Sequence, residues 1–359
     1  MINNISLSNF RSYSKLNLNL SNNINVLIGK NGQGKTNLLE SIYFISNIRS
    51  HRTKNDLDLI KKGQEYSRII VNKSNNNKDT NLTCIIHQDG KYFSIDNNPI
   101  KKTSEMLGII NTVLFYPTET TLFTDSPAIR RNFFDVEIGK VSSIYLSNFQ
   151  SFNKILKDRN RILKADKVDT LLLEILTNQL IPVQIEINRR RKILIDFINQ
   201  NIAKYLDLLL DEAFPITINY RSSITGLDTN DLIDLYKKSE KKDQLYRNTS
   251  EGIHRDDYEI YSNDIEIDKF LSQGQIRIVL LAIKLVIVDF IYEKTKETPI
   301  LLLDDVMSEL DINNQMNLLN AIPDYVQTII TTTEQSKIFT NDNINIIYIE
   351  NSQIRNEEN

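Results

Sequence analysis

The sequence predicts an α/β fold, a mixed sheet flanked by helices into which a mostly helical domain is inserted. Three observations carry that prediction. A short apolar run, Ile24 to Ile28, leads through a glycine-rich turn into a segment whose Leu38, Leu39, Ile42 and Ile45 recur at helical spacing up to about Ile48. From about Ser126 to Tyr246 glycine nearly vanishes, leaving Gly139 and Gly226, while leucine and isoleucine recur at helical intervals. The last third alternates helix and strand patterns, as a parallel sheet requires. The expected domains are a head made of residues 1–118 and 247–359 and an arm of residues 119–246.

Taken in order, Ile5 and Leu7, then Leu16, Leu18 and Leu20, alternate with polar neighbours at period 2 and read as strands. Residues 65–116 look strand-rich, with runs at 68–71, 82–87, 92–95 and 113–116 separated by Asn, Asp and Gly turns. Helices are expected over 148–163, 169–180 and 182–210. The apolar stretch Ile276 to Tyr292 is interrupted by Arg277, Lys284 and Asp289, so it reads as a buried core helix rather than a membrane span. Ile300 to Leu303, Tyr325 to Ile330 and Ile344 to Ile349 are further strands, and the polar tail from Asn351 to Asn359 is expected to fray.

Composition narrows the function classes. Lys and Arg number 43 against 46 Asp and Glu, a net charge of −3, so any contact with nucleic acid must come from a local patch. The single cysteine, Cys84, cannot form an intramolecular disulfide, and with only His51, His87 and His254 at scattered positions no zinc-type cluster is expected. With no basic-then-apolar leader at the N-terminus, a reducing cytoplasm is the expected location.

Gly29, Lys30, Asn31, Gly32, Gln33, Gly34, Lys35 and Thr36 match the pattern G-x-x-x-x-G-K-[ST], the Walker A loop. Its glycines let backbone N–H groups turn inward on a polyphosphate, Lys35 reaches the β and γ oxygens, and the Thr36 hydroxyl ligates Mg²⁺ at a helix N-terminus. Ile300 to Leu303 followed by Asp304 and Asp305 has the Walker B form: Asp304 to hold the metal's water shell, Asp305 to orient or deprotonate an attacking water. ATP and Mg²⁺ are the cofactors this pair implies. Ser272, Gln273, Gly274 and Gln275 introduce the helix from Ile276, where a hydroxyl and an unobstructed glycine backbone can make a second anion site or simply a cap.

The stretch Leu271 to Gln275 resembles the L-S-G-G-Q signature of ABC-type and SMC-like ATPases, and Ser308 to Asp311 falls where that superfamily has its D-loop. The resemblance implies an ABC-type P-loop head in which Ser272 closes over the γ-phosphate bound by a second copy. It becomes closer through Asn9 to Tyr13, Ser50 to Thr53, Ser126 to Asp135, Gly252 to Asp257 and Leu302 to Asp311, blocks that together resemble the RecF family of bacterial recombination and repair ATPases. That likeness implies an ATP-dependent homodimer, weak DNA-stimulated ATP hydrolysis, binding to gapped single- and double-stranded DNA, partnership with RecR and RecO in loading RecA, and a part in the SOS response. Under it, Lys35, Asp305 and Ser272 are the catalytic set. Arg130, Arg131, Arg189, Arg190 and Arg191 are candidates for a basic cleft, with Arg130 and Arg131 equally able to tie carboxylates. Arg11 and Tyr13 could meet the base or the α-phosphate.

Three departures stand out. Ile253 replaces an expected proline, Asp305 stands where transport ATPases carry glutamate, and Thr331, Thr332 and Thr333 occupy the place of their switch histidine. Three other readings compete: a membrane transporter's nucleotide-binding subunit, which would need that histidine, a long-armed SMC or RecN-like protein, for which the stretch between Thr36 and Ser272 leaves only a stubby arm, and a solitary P-loop switch. For the last, Thr53 to Asp56 mimics a base-reading T-K-x-D tetrapeptide, but it follows Thr36 too closely and leaves the signature helix without a use.

Overall fold

The computed structural model describes residues 1–75, 78–102, 105–334, 337–339 and 343–355. The chain forms two compact units, one of residues 1–119, 204–213 and 277–359, the other of residues 120–203 and 214–276. This division differs from the expected one at 204–213, which belongs to the first unit, and at 247–276, which folds with the helical unit. The cause of the latter is strand pairing: Asp257–Ser262 runs antiparallel to Thr217–Arg221, with Tyr258 opposite Tyr220.

The first unit has two six-stranded sheets. One is antiparallel, in the order Tyr13–Asn19, Ile2–Phe10, Tyr66–Asn75, Lys78–His87, Gly90–Ile95 and Asn98–Pro99. Its period-2 pattern sets the register: Leu7 lies between Leu16 and Ile69, and Ile5 between Leu18 and Val71. The other places Gln353–Arg355, Ile344–Glu350, Ile24–Ile28, Thr328–Thr332, Ile300–Leu303 and Thr112–Phe115 side by side, parallel except for the final hairpin. The helix Lys35–Asn47 buries Leu38, Leu39, Ile42, Phe44 and Ile45 in the same core as Ile5, Leu7 and Ile69 of the first sheet and Leu302, Ile329 and Ile347 of the second. Each such side chain contributes about 1.5–3 kcal/mol by leaving water. The start of that helix is thereby fixed at the end of the strand Ile24–Ile28.

The helix Gln273–Thr295 is buried along most of its length, and its three interrupting charges are each answered inside this unit. Lys284 donates to Glu119 at 2.7 Å, Arg277 pairs with Glu309, and Asp289 accepts from Tyr205 at 2.8 Å and Lys204 at 3.2 Å. Among the described residues no helix is long and apolar enough to cross a membrane. The tail expected to fray forms the strand Gln353–Arg355 instead, paired back on Ile344–Glu350; residues 356–359 lie outside the described residues.

In the second unit, Pro127–Val141 starts with proline at its first turn, where no N–H is needed, and Ser142 caps Ser143–Leu163 by accepting from Tyr145 N–H. The helix Thr170–Leu209 continues through Pro182, where two separate helices were expected. Proline removes one backbone hydrogen bond, but Leu180, Ile181, Gln184 and Ile187 are buried on either side and keep the segment helical. The helix Thr229–Tyr246 opens on a capping box between Asp228 and Asp231. The short strand Thr217–Arg221 was not foreseen, because only Ile216 and Ile218 mark its buried face.

Candidate functional site

The loop between the strand Ile24–Ile28 and the helix Lys35–Asn47 is shaped by three glycines acting for two reasons. Gly32 and Gly34 have φ of +79° and +108°, which a side chain resists. Gly29 is needed for space: a Cβ there would stand 2.2 Å from the carbonyl oxygen of Ile349. Lys30 and Asn31 are exposed at the loop's crest, and the Lys35 ammonium curls back to donate to the carbonyls of Gly29 and Lys30. Burial pulls the Lys35 pKa down, with Asp305 and Asp304 opposing. Beneath the loop, the buried Tyr13 hydroxyl donates to Gly34 O at 3.1 Å. Beside it, Ser352 N–H donates to Gln33 O at 3.0 Å and Asn351 N–H to Gln33 Oε1.

The strand Ile300–Leu303 delivers two acids to this loop. The Thr36 hydroxyl donates to Asp304 Oδ1 at 2.9 Å, bringing the end of Walker A against Walker B. Burial raises the Asp304 pKa, against the hydrogen bonds from Thr331 and Thr36. Asp305 has φ of +50°, and its Oδ1 is buried without a hydrogen-bond partner. Oxygen donors on Thr36 and Asp304 and this orphaned carboxylate oxygen suit a hard divalent cation. Thr331 does not take the place of a switch histidine. It is fully buried and donates to Asp304 Oδ1 at 2.7 Å, so its proton is already engaged, and Thr332 donates to Glu334 O.

In the second unit, Ser272 and Gln275 form a reciprocal cap at the start of the helix Gln273–Thr295. Gln275 N–H donates to Ser272 Oγ at 3.3 Å, and Ser272 N–H donates to Gln275 Oε1 at 2.9 Å. Ser272, Gln273 and Gly274 are exposed, and a Cβ on Gly274 would meet nothing nearer than Ser272 Oγ at 4.0 Å. The cap and an anion site are therefore compatible: accepting one bond leaves the serine its own proton to give. In the first unit, Asp311 caps the helix Ile312–Ala321 through Asn314 N–H at 2.8 Å.

Arg11 and Tyr13, candidates for the base or α-phosphate, both make hydrogen bonds within the chain. Tyr13 lies under the loop, and Arg11 makes a two-pronged bond to Glu40 at 2.7 and 2.9 Å. Glu40 is fully buried. Burial would raise its pKa, but bonds from Arg11 and Ser50 outweigh that and hold it down. Arg52 adds a bond at 3.3 Å and also reaches Asn37 at 2.9 Å. Glu40 thus ties the Asn9 to Tyr13 and Ser50 to Thr53 blocks to the phosphate-loop helix. Sequence reading missed it, although a lone glutamate inside Leu-Leu-Glu-Ser-Ile-Tyr-Phe-Ile was the available signal. Asp56, part of the base-reading mimic, starts the short 3-10 helix Asp56–Leu59 and pairs with Lys91 at 2.8 Å.

Of the five arginines expected to face DNA, three serve the helical unit itself. Arg191 is 2% exposed, grips both oxygens of Asp135 at 2.9 Å, and donates to Asp256 Oδ2 and Ile253 O at 2.8 Å. A phosphate cannot reach it, which corrects its reading as a DNA contact. Arg130 is paired fork-to-fork with Asp257 at 2.7 and 2.9 Å, and Arg131 donates to Asp256 O at 2.6 Å. The Gly252 to Asp257 block is accordingly the anchor for these three, with Ile253 buried in the position where proline was expected. Of the five, Arg189 is exposed and Arg190 half-buried; they share Glu186 and hold its pKa at about 2.

A family model described as the RecF/RecN/SMC N terminal domain matches residues 1–356. The chain is 36% identical to the DNA replication and repair protein RecF of Streptococcus suis over 99% of both chains, and 40% identical to that of Listeria monocytogenes over 93% of both. A solved structure of the recombination mediator protein RecF-ATP in the RecFOR pathway aligns at a TM-score of 0.89 and 29% identity, over 99% of this chain and 96% of that one. The Smc head domain of Pyrococcus furiosus, solved with an extended coiled coil and bound to the C-terminal domain of ScpA, shares the fold at a TM-score of 0.57 and 17% identity, over 99% and 95%. With a full-length family match and relatives of this identity, the chain belongs to the RecF/RecN/SMC family and, within it, to RecF, the DNA replication and repair proteins built on an SMC-like ATPase head.

Proposed function

We propose that the chain is an ATP-operated DNA clamp of recombinational repair. ATP binds the loop Gly29 to Thr36 of one copy, and Ser272 with Gln273, Gly274 and Gln275 of a second copy covers its γ-phosphate. The homodimer so formed holds DNA at gaps and single-strand to double-strand junctions. There it works with RecR and RecO to help load RecA in the cytoplasm, a step that feeds the SOS response. Slow, DNA-stimulated hydrolysis then opens the clamp. The RecF-ATP relative of the RecFOR pathway supports the nucleotide and the partners.

The observation that carries the reading is the 2.9 Å contact between Thr36 and Asp304 beside the orphaned Asp305 carboxylate. Lys35 and the loop N–H groups bind the polyphosphate, and Thr36 with Asp304 would hold Mg²⁺, which when bound neutralises charge on the β and γ oxygens. Asp305 holds the attacking water, its short side chain favouring slow turnover. Duplex contact falls to exposed basic residues, of which Arg189 is the exposed sequence candidate, with the half-buried Arg190 beside it. Such contacts read backbone rather than bases and weaken with salt.

Sedimentation of wild type, Lys35→Met and Ser272→Arg, with and without ATP-Mg²⁺ and a gapped duplex, tests this. ATP should convert wild type to a DNA-bound dimer, Lys35→Met should lose ATP, and Ser272→Arg should bind ATP without dimerising. A wild type that binds ATP and stays monomeric on DNA would point instead to a solitary P-loop switch.

A further inference from the structure

Thr331, fully buried in the strand Thr328–Thr332, joins both Walker B acids through one hydroxyl. It donates to Asp304 Oδ1 at 2.7 Å and accepts the backbone N–H of Asp305 at 2.8 Å. Asp304 Oδ1 accepts a second bond from Thr36 at 2.9 Å, so two hydroxyls fix the plane of that carboxylate. Asp305 occupies the left-handed backbone region at φ +50°, which aspartate tolerates better than most residues and which local hydrogen bonds help to hold. The bond from its N–H to Thr331 is one such hold, and Ser308 Oγ on Asp305 O at 2.9 Å is another.

We propose that Thr331 is a positioning residue of the hydrolytic site, orienting Asp304 toward the metal and fixing the turn that aims the Asp305 carboxylate. The inference rests on the ATPase reading above. Packing alone does not explain this residue: Ile329 and Ile330 already fill the strand's place in the core, and valine has the same shape as threonine without the hydroxyl. What threonine adds is one proton for Asp304 and one lone pair for Asp305. Residues that orient a metal ligand in this way typically matter about 10- to 100-fold to metal affinity or turnover.

The test compares wild type, Thr331→Val and Thr331→Ser by three measurements: melting temperature, anisotropy of a fluorescent ATP analogue titrated with Mg²⁺, and ATP turnover. Thr331→Val should bind the analogue without Mg²⁺ as wild type does. It should need about tenfold more Mg²⁺ for the metal-dependent part of binding and lose kcat by about 10- to 100-fold. Thr331→Ser, which restores the hydroxyl, should recover both. Wild-type Mg²⁺ dependence and turnover in Thr331→Val overturn the inference, as does a Thr331→Ser protein as defective as Thr331→Val. If melting shows Thr331→Val unfolded, Thr331→Ser alone decides, and loss of its Mg²⁺ dependence overturns the role. A wild type without Mg²⁺-dependent nucleotide binding instead overturns the ATPase reading and this inference with it.

Discussion

Replacing Arg191 by methionine separates a structural arginine from a DNA-contacting one. The guanidinium makes four hydrogen bonds at 2.8 to 2.9 Å to Asp135, Asp256 and Ile253 O, with 2% of the residue exposed. Methionine keeps most of the stem's volume, so little cavity opens; the cost comes from two buried carboxylates left without their cation. Breaking a buried ion pair from one side costs about 3–5 kcal/mol. The Asp256 pKa, already raised by burial against the pull of Arg191, then rises further. Urea unfolding followed by circular dichroism, with thermal melting, should show a loss of about 4 kcal/mol and a melting temperature lower by roughly 10 °C. Adding Asp135→Asn and Asp256→Asn should recover part of that loss. Arg189→Ala is the counterpart: its side chain is 55% exposed, its pair with Glu186 is worth about 0–1 kcal/mol, and its unfolding midpoint should barely move. If Arg189 meets a phosphate, gapped-duplex affinity falls and the salt slope drops by about one. The reasoning is refuted if Arg191→Met unfolds where wild type does yet loses duplex affinity.

Two further outcomes follow from buried groups near the loop and the arm. Burial lowers the pKa of His51 and of His254 from 6.5 to about 4, so both are neutral in the folded chain. As pH falls, the unfolded chain takes up protons first, so stability is complete above about pH 6.5 and is lost progressively down to about pH 4, on the order of 3 kcal/mol per histidine. His51→Gln should therefore lose less melting temperature than wild type between pH 7.5 and pH 5, and an equal loss would sink the assignment. Gly29→Ala must move the Ile349 carbonyl, whereas a Cβ on Gly32 meets nothing within 4 Å and costs about 1–2 kcal/mol through its φ of +79°. Nucleotide-free melting should be lowered clearly more by Gly29→Ala, and equal melting of the two would refute the packing argument.

The loop of the candidate phosphate site was legible because its geometry is local. Strand, glycine turn, Lys35 and Thr36 lie within thirteen residues of one another, and the loop's shape is set by backbone freedom that only glycine supplies. Walker B was legible as a type, an apolar strand ending in acids, since burial of Ile300 to Leu303 leaves only its end for charge. What sequence could not reveal were partnerships across long separations. Glu40 draws Arg11 and Arg52 together, and Thr331 reaches back to Asp304 and Asp305; each looks ordinary until the strands are adjacent. The run Arg189 to Lys192 shows the same limit. At 100° per residue the helix sends Arg189 outward and Arg191 into the core, and only the carboxylates of Asp135 and Asp256 make the second placement tolerable. Pro182 misled for a related reason, since neighbouring burial outweighed a local break.

The turn Asn351–Ser352, braced on Gln33, bears on how the molecule is made. The phosphate-loop strand Ile24–Ile28 emerges early in synthesis, yet its two sheet neighbours, Thr328–Thr332 and Ile344–Glu350, come more than three hundred residues later. At about 5–20 residues per second the strand spends tens of seconds without lateral partners. The antiparallel hairpins from Ile2 to Ile95 can form in that interval, because each pairs with nearby segments, while the loop cannot be seated until Ser352 arrives. The bracing of the loop is thus completed late: a nascent chain carrying an intact Gly29 to Thr36 segment lacks its Ser352 contact until the hairpin of Ile344–Glu350 and Gln353–Arg355 has formed.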